Sequence, residues 1–466
     1  MKANFDLFKE GRLEAWKFLT NELETYYDQT ASLPVSPKLD QGEITNYVYR
    51  SFEDALEFKD AIKHVVDGLK QFTVHTPHPD YFGLFNPRAN FAGIMADTIT
   101  ATFNPQLAAW SHAPFAAEVE SNLIVEFGKK FGYNPSDIDG VFTSGGAEAN
   151  LTAILCALNK SLPDYAKEGL QSVKKKPVIY VSAESHHSFV KATSITGLGL
   201  NAIREISVNE HLQMDVNVLE QQIKADIKNN FLPVMIVATV GTTGAGVIDA
   251  IGEIAEVASS YNIWLHADAA YGGAIALTEH FKYLLDDIHL ADSITFDAHK
   301  WMSVPMGAGM LITRHLDILN KTFRVTTDYM PKEASDLQIT DPFTHSLQWS
   351  RRFIGLKVYF SLLVFGWEGY KQVIEQQIEM GNFLRKKLQN SGWVIYNQTA
   401  LPVVCFGKKN FEPNDTLMIN KKIIESGKAW LSVYKIKGIN TIRACITNYA
   451  TNEKNIEGLV EVLNGV

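Results

Sequence analysis

Cysteine is scarce in this chain, with only Cys156, Cys405 and Cys445 among 466 residues. The three lie far apart, and their spacing matches neither a metal-binding nor a redox motif. The sequence therefore favours reduced thiols packed in the core over a disulfide framework. For the same reason we expect no metal site.

Long apolar runs are also missing, because the longest, Phe231–Val240, is far shorter than the roughly 20 residues of a membrane span. The first residues carry scattered charges and no apolar core, which argues against a secretory signal. Acidic residues outnumber basic ones by 52 to 43, so nucleic acid and anionic membranes are not expected partners. These absences predict a soluble, cytoplasmic protein.

The chain contains no internal repeat and no low-complexity segment, and 46% of its residues are hydrophobic. Such a chain can bury a large core and divide into several domains. Apolar spacing predicts helices near residues 5–23 and 51–72, and alternating strands and helices follow. We expect a helical arm (residues 1–75), a large α/β domain with a mostly parallel sheet (76–355) and a smaller C-terminal α/β domain (356–466).

Lys300 ends the segment ADSITFDAHK, in which alternating Ile294 and Phe296 predict a half-buried strand. A surface lysine at a strand end is the simplest interpretation of Lys300 alone. Burying a lysine is costly, however, and a desolvated lysine loses its proton more readily and can form a Schiff base with a carbonyl compound. The strand therefore makes Lys300 a candidate for covalent chemistry.

Asp268 ends a second strand, in the segment YNIWLHADAAYGG. It could serve as a helix N-cap. A buried carboxylate can also pair with a cation, and the ring nitrogen of pyridoxal phosphate, held protonated by an aspartate, is such a cation. Asp268 as partner of the ring nitrogen and Lys300 as partner of the aldehyde explain both residues together.

A glycine-rich turn lies in the segment VFTSGGAEANL, between a short predicted strand and a helix over 147–158. The turn could be an ordinary strand–helix connection. The free N–H groups of a helix N-terminus also form an anion site. No GK[ST] sequence follows, so a nucleotide P-loop is not supported. With Lys300 and Asp268 in the chain, the phosphate of pyridoxal phosphate is the expected occupant.

The motifs HADAAYGG, DAHKW and SRRF (Ser350–Phe353) resemble the group II pyridoxal-phosphate decarboxylases of fold type I, over roughly residues 75–450. This resemblance implies the fold-type-I transferase fold with a seven-stranded, mostly parallel sheet in the large domain. It also implies pyridoxal 5'-phosphate as cofactor and a homodimer in which the N-terminal helices pack against the partner subunit. A self-contained helical cap is the alternative for that arm.

The resemblance also implies roles for individual residues. Gly146 and Ala147 match phosphate-binding positions, with Ser144 and Gly145 shaping the turn. His186 matches a histidine that stacks on the cofactor ring and serves in proton transfer, although a structural histidine remains the alternative. Further cofactor contacts are expected from Thr243, Ser293, His299 and Ala270.

Two aspartates are excluded from the expected site. Asp249 is interpreted as the cap of the helix that follows it. Asp297 matches a position where many members of the family carry asparagine, and a carboxylate at that place would repel a phosphate. His187, next to His186, is given no role.

Substrate contacts are expected in the segment HTPHPDYFGLFNPR, where Leu84 and Phe85 would present apolar surface. Arg443 matches a position near the substrate, with a structural role equally open. Tyr329 matches the tyrosine of a catalytic mobile loop, which the irregular sequence through His345 suits.

These expectations predict an L-amino-acid α-decarboxylase that releases CO2 and a primary amine, with an aromatic substrate favoured. Glutamate, diaminobutyrate and cysteine sulfinate are alternative substrates, because the spacing from His78 to Asp97 is closer to the glutamate type. A carbon–carbon lyase of the sphingosine-phosphate type and a non-catalytic cofactor-binding protein are the rival functions.

Overall fold

The computed structural model describes residue 5 and residues 7–325, 339–409, 411–412 and 414–465. The α-helices are α1 Lys9–Gln29, α2 Gln41–Val48, α3 Phe58–Phe72, α4 Phe91–Phe103, α5 Pro114–Lys130, α6 Gly146–Ser161, α7 Tyr165–Glu168, α8 Ser188–Ile195, α9 Val216–Lys228, α10 Ile251–Tyr261, α11 Ile318–Phe323, α12 Gly355–Asn390, α13 Asp415–Glu425 and α14 Glu453–Asn464. Short 3₁₀ turns lie at Thr30–Ser32, Trp110–His112, Gly169–Ser172, Leu200–Ala202, Gly272–Leu277, Lys282–Leu285, Ile288–Leu290 and Pro342–Thr344.

Seven strands form the large sheet: β1 Asp139–Thr143, β2 Lys176–Ser182, β3 Ile203–Ile206, β4 Phe231–Thr239, β5 Trp264–Asp268, β6 Ser293–Asp297 and β7 Gly309–Thr313. Their order is β1-β7-β6-β5-β4-β2-β3, and every pair is parallel except the two that involve β7. The expected mostly parallel, seven-stranded sheet is confirmed.

The central strands are buried along most of their length, as expected for a parallel sheet that helices cover on both faces. Because β2, β4, β5 and β6 run in the same direction, their carboxyl ends meet at one edge of the sheet. Polar residues end these strands, namely Ser182, Thr239, Asp268 and Asp297. This edge is therefore the natural place for a ligand site.

The smaller, antiparallel sheet has the order β10-β11-β9-β8, from β8 Val394–Ile395, β9 Val403–Gly407, β10 Ser432–Ile436 and β11 Ile439–Cys445. Strand β10 was not expected from the sequence. Helix α12 begins at Gly355, just after the motif of residues 350–353. Its helical backbone is interrupted at Gly366, where φ is +62°.

The N-terminal helices cover little of the chain that follows them. Helix α1 has no buried residue and α3 buries only Val66, so apolar side chains such as Phe8 and Trp16 stay exposed. The second expected helix begins at Phe58, and the short helix α2 precedes it. Between α1 and α2, Val35 is fully buried, and its N–H group donates to the carbonyl oxygen of Gly427. None of the described helices combines the length and the apolar composition that a membrane crossing requires.

Candidate active site

A cavity of about 320 Å³ lies at the carboxyl edge of the large sheet. It is lined by residues that the sequence placed in one site, namely Phe85, Gly146, Ala147, His186, Thr243, Asp268, Ala270 and Lys300. Within the described residues, His, Cys, Asp and Glu side chains form no cluster of three or more that could hold a metal ion. The cavity therefore brings together an amine, a carboxylate, an imidazole and a glycine-rich turn.

Lys300 lies just beyond the end of β6, and its side chain is 23% exposed. Its Nζ atom is 3.3 Å from Oδ2 of Asp297 and 5.9 Å from the ring centre of Phe85. The exclusion of Asp297 from the site was wrong, since its carboxylate lines the cavity and pairs with the lysine. The exclusion considered only the repulsion between this carboxylate and a bound phosphate, and it did not consider Lys300 as a counterion.

Asp268 is buried at the end of β5, with 6% of its surface exposed. Its Oδ2 atom accepts a hydrogen bond of 3.0 Å from the side-chain amide of Asn150, and Oδ1 accepts a longer one, of 3.3 Å, from the N–H group of Ala270. The helical turn that follows begins at Gly272 and takes no side-chain cap, so Asp268 is not an N-cap. Its carboxylate faces the cavity instead.

A buried layer of hydrogen bonds supports Asp268 from below. Oδ1 of Asn150 accepts from the hydroxyl of Thr295 (2.7 Å) and lies 3.1 Å from Nε2 of His266. On the other side of the imidazole, Nδ1 is 2.8 Å from Oγ of Ser293, which also accepts from the indole N–H of Trp264. Burial lowers the pKa of His266 to about 4, so the ring is neutral at pH 7.

This layer corrects one expectation and adds a residue that sequence reasoning missed. Ser293 was expected beside the phosphate, but it begins β6, bonds to His266 and does not line the cavity. Asn150 was missed. Its position four residues after Gly146 places both on one face of α6, and that spacing could have identified it.

The glycine-rich turn joins β1 to α6, which begins at Gly146 and has no side-chain cap. The first N–H groups of a helix have no partner within it, so they remain available to an anion. A Cβ atom placed on Gly146 would lie 2.9 Å from Oδ2 of Asp297, which shows how closely the turn approaches that carboxylate. Ser144 is tied down by Glu148, whose Oε2 accepts both its N–H and its hydroxyl group.

His299 lies beside the same turn. Its Nδ1 accepts from the N–H group of Ala308 (3.2 Å), and its Nε2 is 3.8 Å from Oδ2 of Asp297. A Cβ atom on Gly145 would be 3.4 Å from the imidazole. Burial lowers the pKa of His299, so the ring is neutral near pH 7, with its hydrogen on Nε2.

His186 lies at the mouth of the cavity, after β2. The residue is exposed to solvent, and the partial burial of its ring lowers its pKa. Its Nδ1 accepts from the N–H group of Ser188, so the neutral ring carries its hydrogen on Nε2. His187 is exposed and does not line the cavity.

Asp249 does not cap α10, which follows it and has no side-chain cap. Its carboxylate accepts two hydrogen bonds of 2.7 Å, from the N–H groups of Met214 and Thr239. Complete burial raises its pKa to about 6. Asp249 therefore fixes the end of β4, where Thr239 lines the cavity.

Two stacked aromatic rings line the cavity, and a third extends the stack behind them. Phe85 stacks on Tyr271 with 3.8 Å between ring centres, and Tyr271 stacks on Trp301 at 4.8 Å. Leu84, the neighbour of Phe85, is half exposed and does not line the cavity, so the structure does not place it in the site.

Arg443 is buried behind Phe85, with its guanidinium 5.0 Å from the ring centre. It donates to the carbonyl oxygens of Gly83 and Gly244 and to the hydroxyl of Ser432. Its Nη2 atom is buried and has no hydrogen-bond partner among the described residues. Arg443 therefore has both a structural role and a free donor.

Tyr329 lies outside the described residues. Near the end of the expected loop, the chain forms a 3₁₀ turn at Pro342–Thr344, and the side chain of Phe343 is buried.

Comparisons with known proteins agree with this geometry. Residues 47–409 match the model of the pyridoxal-dependent decarboxylase conserved domain. The chain is 30% identical to an aromatic-L-amino-acid decarboxylase of Bacillus atrophaeus, over 98% of this chain and 95% of that protein. It is 27% identical to a tyrosine decarboxylase of Papaver somniferum, over 95% and 91%.

The fold is similar to that in the crystal structure of Oryza sativa TDC with PLP and tryptamine, with a TM-score of 0.93, 21% identity and 99% of each chain covered. The family match spans most of the chain and includes both strand ends that carry Asp268 and Lys300. On this evidence the chain belongs to the pyridoxal-dependent decarboxylase family.

Proposed function

We propose that this decarboxylase acts on an aromatic L-amino acid and releases CO2 and a primary amine. The observation that carries the proposal is the placement of Lys300 and Asp268 at the ends of adjacent strands, facing one cavity. The aromatic wall around Phe85 supports an apolar substrate side chain. The names of the relatives from Bacillus atrophaeus and Papaver somniferum support the same substrate class.

The residues around the cavity fit pyridoxal 5'-phosphate, the cofactor of this family. Lys300 offers the amine for its aldehyde, Asp268 a buried carboxylate for its ring nitrogen, and the start of α6 the N–H groups of Gly146 and Ala147 for its phosphate. Thr243 and Ala270 line the same space, whereas His299 does not line it and lies next to Gly145. When bound, the cofactor supplies an electron sink for the bond that breaks as CO2 leaves.

The chain's own groups then orient and protonate the substrate. Asp268, held by Asn150, would keep the ring nitrogen of a bound cofactor protonated. His186 covers the open face of the cavity, and its neutral ring can pass a proton through Nε2. Phe85 is suited to pack against the substrate side chain, and Arg443, which does not line the cavity, holds the segment of Phe85 from behind.

Tyr329 is the proposed donor of the proton that the α-carbon takes up after CO2 has left. A phenol on a closing segment would supply that proton and keep out water and oxygen. Tyr329→Phe should keep CO2 release and divert product to aldehyde, ammonia and hydrogen peroxide. A low ratio of peroxide to CO2 in both proteins would rule out this role.

We also infer a cytoplasmic homodimer in which α1–α3 pack against a second copy. The support is the exposed apolar surface of this arm, including Phe8, Leu13 and Trp16, and the three buried, free cysteines. Sedimentation should give a dimer for the full chain, and a chain of residues 76–466 should be insoluble or inactive. A soluble and active truncated chain would contradict the proposed role of the arm.

The test of the function is to offer the cofactor-loaded protein all twenty amino acids, DOPA, diaminobutyrate and cysteine sulfinate, and to identify the amines formed. Borohydride reduction followed by peptide mass analysis should place the pyridoxyl group on Lys300. Amines formed only from acidic or diamino substrates would overturn the aromatic proposal. A label on another lysine would overturn the site.

A further inference from the structure

Asp297 is an under-bonded carboxylate at the centre of the site. Its side chain is 3% exposed, and its Oδ2 atom is 3.3 Å from Nζ of Lys300. Its Oδ1 atom is buried and accepts no hydrogen bond from the described residues. The same Oδ2 atom lies against Gly146, where an anion would bind. The carboxylate thus stands between the lysine and the phosphate turn.

This arrangement suits Lys300 while its amine is free, but not once the amine is bonded to the cofactor. An ammonium group cannot attack an aldehyde, so Lys300 must first lose a proton. A charged Asp297 would also repel a phosphate at the turn that begins at Gly146. A single proton transfer from Nζ to the carboxylate removes both obstacles, because it frees the amine and neutralises the acid.

We propose that Asp297 takes the proton of Lys300 when the cofactor is loaded and keeps it while the lysine is covalently occupied. This inference rests on Lys300 as the attachment point proposed above. The freed amine attacks the aldehyde carbon, a C=N bond replaces C=O, and the carbonyl oxygen leaves as water. The lysine proton stays on Asp297, whose O–H group can donate to a phosphate oxygen beside Gly146.

The groups around Asp297 leave it as the best acceptor for that proton. His299, 3.8 Å away, presents its Nε2–H, and His186 across the cavity is neutral near pH 7. The carboxylates of Glu148 and Asp268 already accept hydrogen bonds from side-chain amides. The charge of Lys357 contributes to the lowered pKa of His299. Its ammonium group is itself bonded to the carboxylate of Asp97 and to two backbone carbonyl oxygens.

The experiment counts the protons released when the full chain, freed of cofactor, binds pyridoxal 5'-phosphate. Calorimetric titration at pH 7 in buffers of different ionisation enthalpy gives this number. Asp297→Asn keeps the shape of the side chain but cannot take the proton. Asp317→Asn is the matched control, because Asp317 is exposed and its backbone is left-handed, with φ +66°, which asparagine also tolerates.

Wild type and control should release the same number of protons, and Asp297→Asn about one more. By linkage, the pH slope of the logarithm of cofactor affinity should also differ by about one, a tenfold change in affinity per pH unit. Contributions from the phosphate and the C=N nitrogen are common to all three proteins. Equal proton counts in all three would overturn the proposal.

A second measurement does not depend on the folding of a variant. Infrared difference spectra of the wild-type chain should gain the band of a protonated carboxylic acid on loading, and the absence of this band would overturn the proposal. Borohydride labelling of a lysine other than Lys300 would instead contradict the proposed attachment point. The two failures are therefore distinguishable.

Discussion

Asp268 and Asp297 end neighbouring parallel strands, β5 and β6, and both are buried, yet their surroundings differ. Both oxygens of Asp268 accept hydrogen bonds, and the amide of Asn150 that holds it is itself held by Thr295 and His266. Asp297 has one oxygen without a partner among the described residues and one beside a lysine.

The difference separates two ways of building a polar site. Buried polar groups are nearly always hydrogen-bonded, so a complete network holds its members in place before any ligand arrives. An incomplete network leaves a buried polar group without a hydrogen-bond partner until a ligand binds. The chain thus fixes the carboxylate of Asp268 in place and leaves that of Asp297 adjustable. Four substitutions test this contrast.

The largest effect is expected from Asp268→Asn, which keeps the size of the side chain, removes the charge and leaves a single acceptor oxygen. The value of kcat/KM should fall roughly 10²–10³-fold, as when one charge-stabilising group is removed from an active site. Absorbance should still show bound cofactor, because Lys300 is intact. Wild-type activity in this variant would mean that the held carboxylate is only structural.

Asn150→Ala should damage the supporting layer itself. It leaves the partners of the amide nitrogen and of the amide oxygen unsatisfied in the core. The free energy of unfolding measured in urea should therefore fall by about 3 kcal/mol. Asn159→Ala is the matched control on the same helix, because among the described residues Asn159 donates to the carbonyl oxygen of Leu155 alone, and its loss should cost less than about 1.5 kcal/mol. Equal losses would show that the layer is not specially coupled.

His266→Asn should change how stability depends on pH. His266 has a pKa of about 4 when folded and about 6.5 when unfolded, so its neutral form stabilises the fold above pH 6.5, and this contribution is lost as the pH falls towards 4. Wild type should lose up to roughly 3 kcal/mol over this range that the variant does not. Asp249, whose raised pKa acts in the opposite direction, is present in both proteins and cancels. Parallel stability curves would contradict a neutral, buried His266.

The smallest effect is expected from Arg443→Lys. Like Asp297, Arg443 has one buried polar atom without a hydrogen-bond partner among the described residues. Lysine keeps the charge but loses the fork that reaches Gly83 and Gly244. We expect KM to rise roughly fivefold, equivalent to about 1 kcal/mol, with kcat almost unchanged. A fall in kcat with constant KM would instead indicate a role in the chemical step.

The sequence predicted the residues whose position follows from strand direction. Lys300 and Asp268 were identified because each ends an apolar segment, and parallel strands bring such ends together. The glycine-rich turn was predicted as an anion site because it joins a strand to a helix, and the family resemblance then assigned the phosphate to Gly146. These inferences need only local pattern and the rule for parallel sheets.

The sequence could not predict which polar groups bond to one another. Ser293 lies at the opposite end of β6 from the cavity, and its partner His266 belongs to another strand. Asp249 resembled a helix cap, but its carboxylate bonds to the N–H groups of Met214 and Thr239. Asp297 was excluded because its neighbour Lys300 was not considered as a counterion. Each error concerns a contact between segments that are distant in sequence or a side-chain direction.

The segment that carries Phe85 is anchored to the far end of the chain. The N–H group of Phe82 donates to the carbonyl oxygen of Trp430, and its own carbonyl oxygen accepts from the N–H group of Cys445. Its buried ring belongs to the hydrophobic core of the smaller sheet. During synthesis, this early segment therefore has to wait for the last strand to leave the ribosome. Any chain that stops before residue 430 lacks both anchors, so the complete polypeptide is needed before the aromatic wall can form.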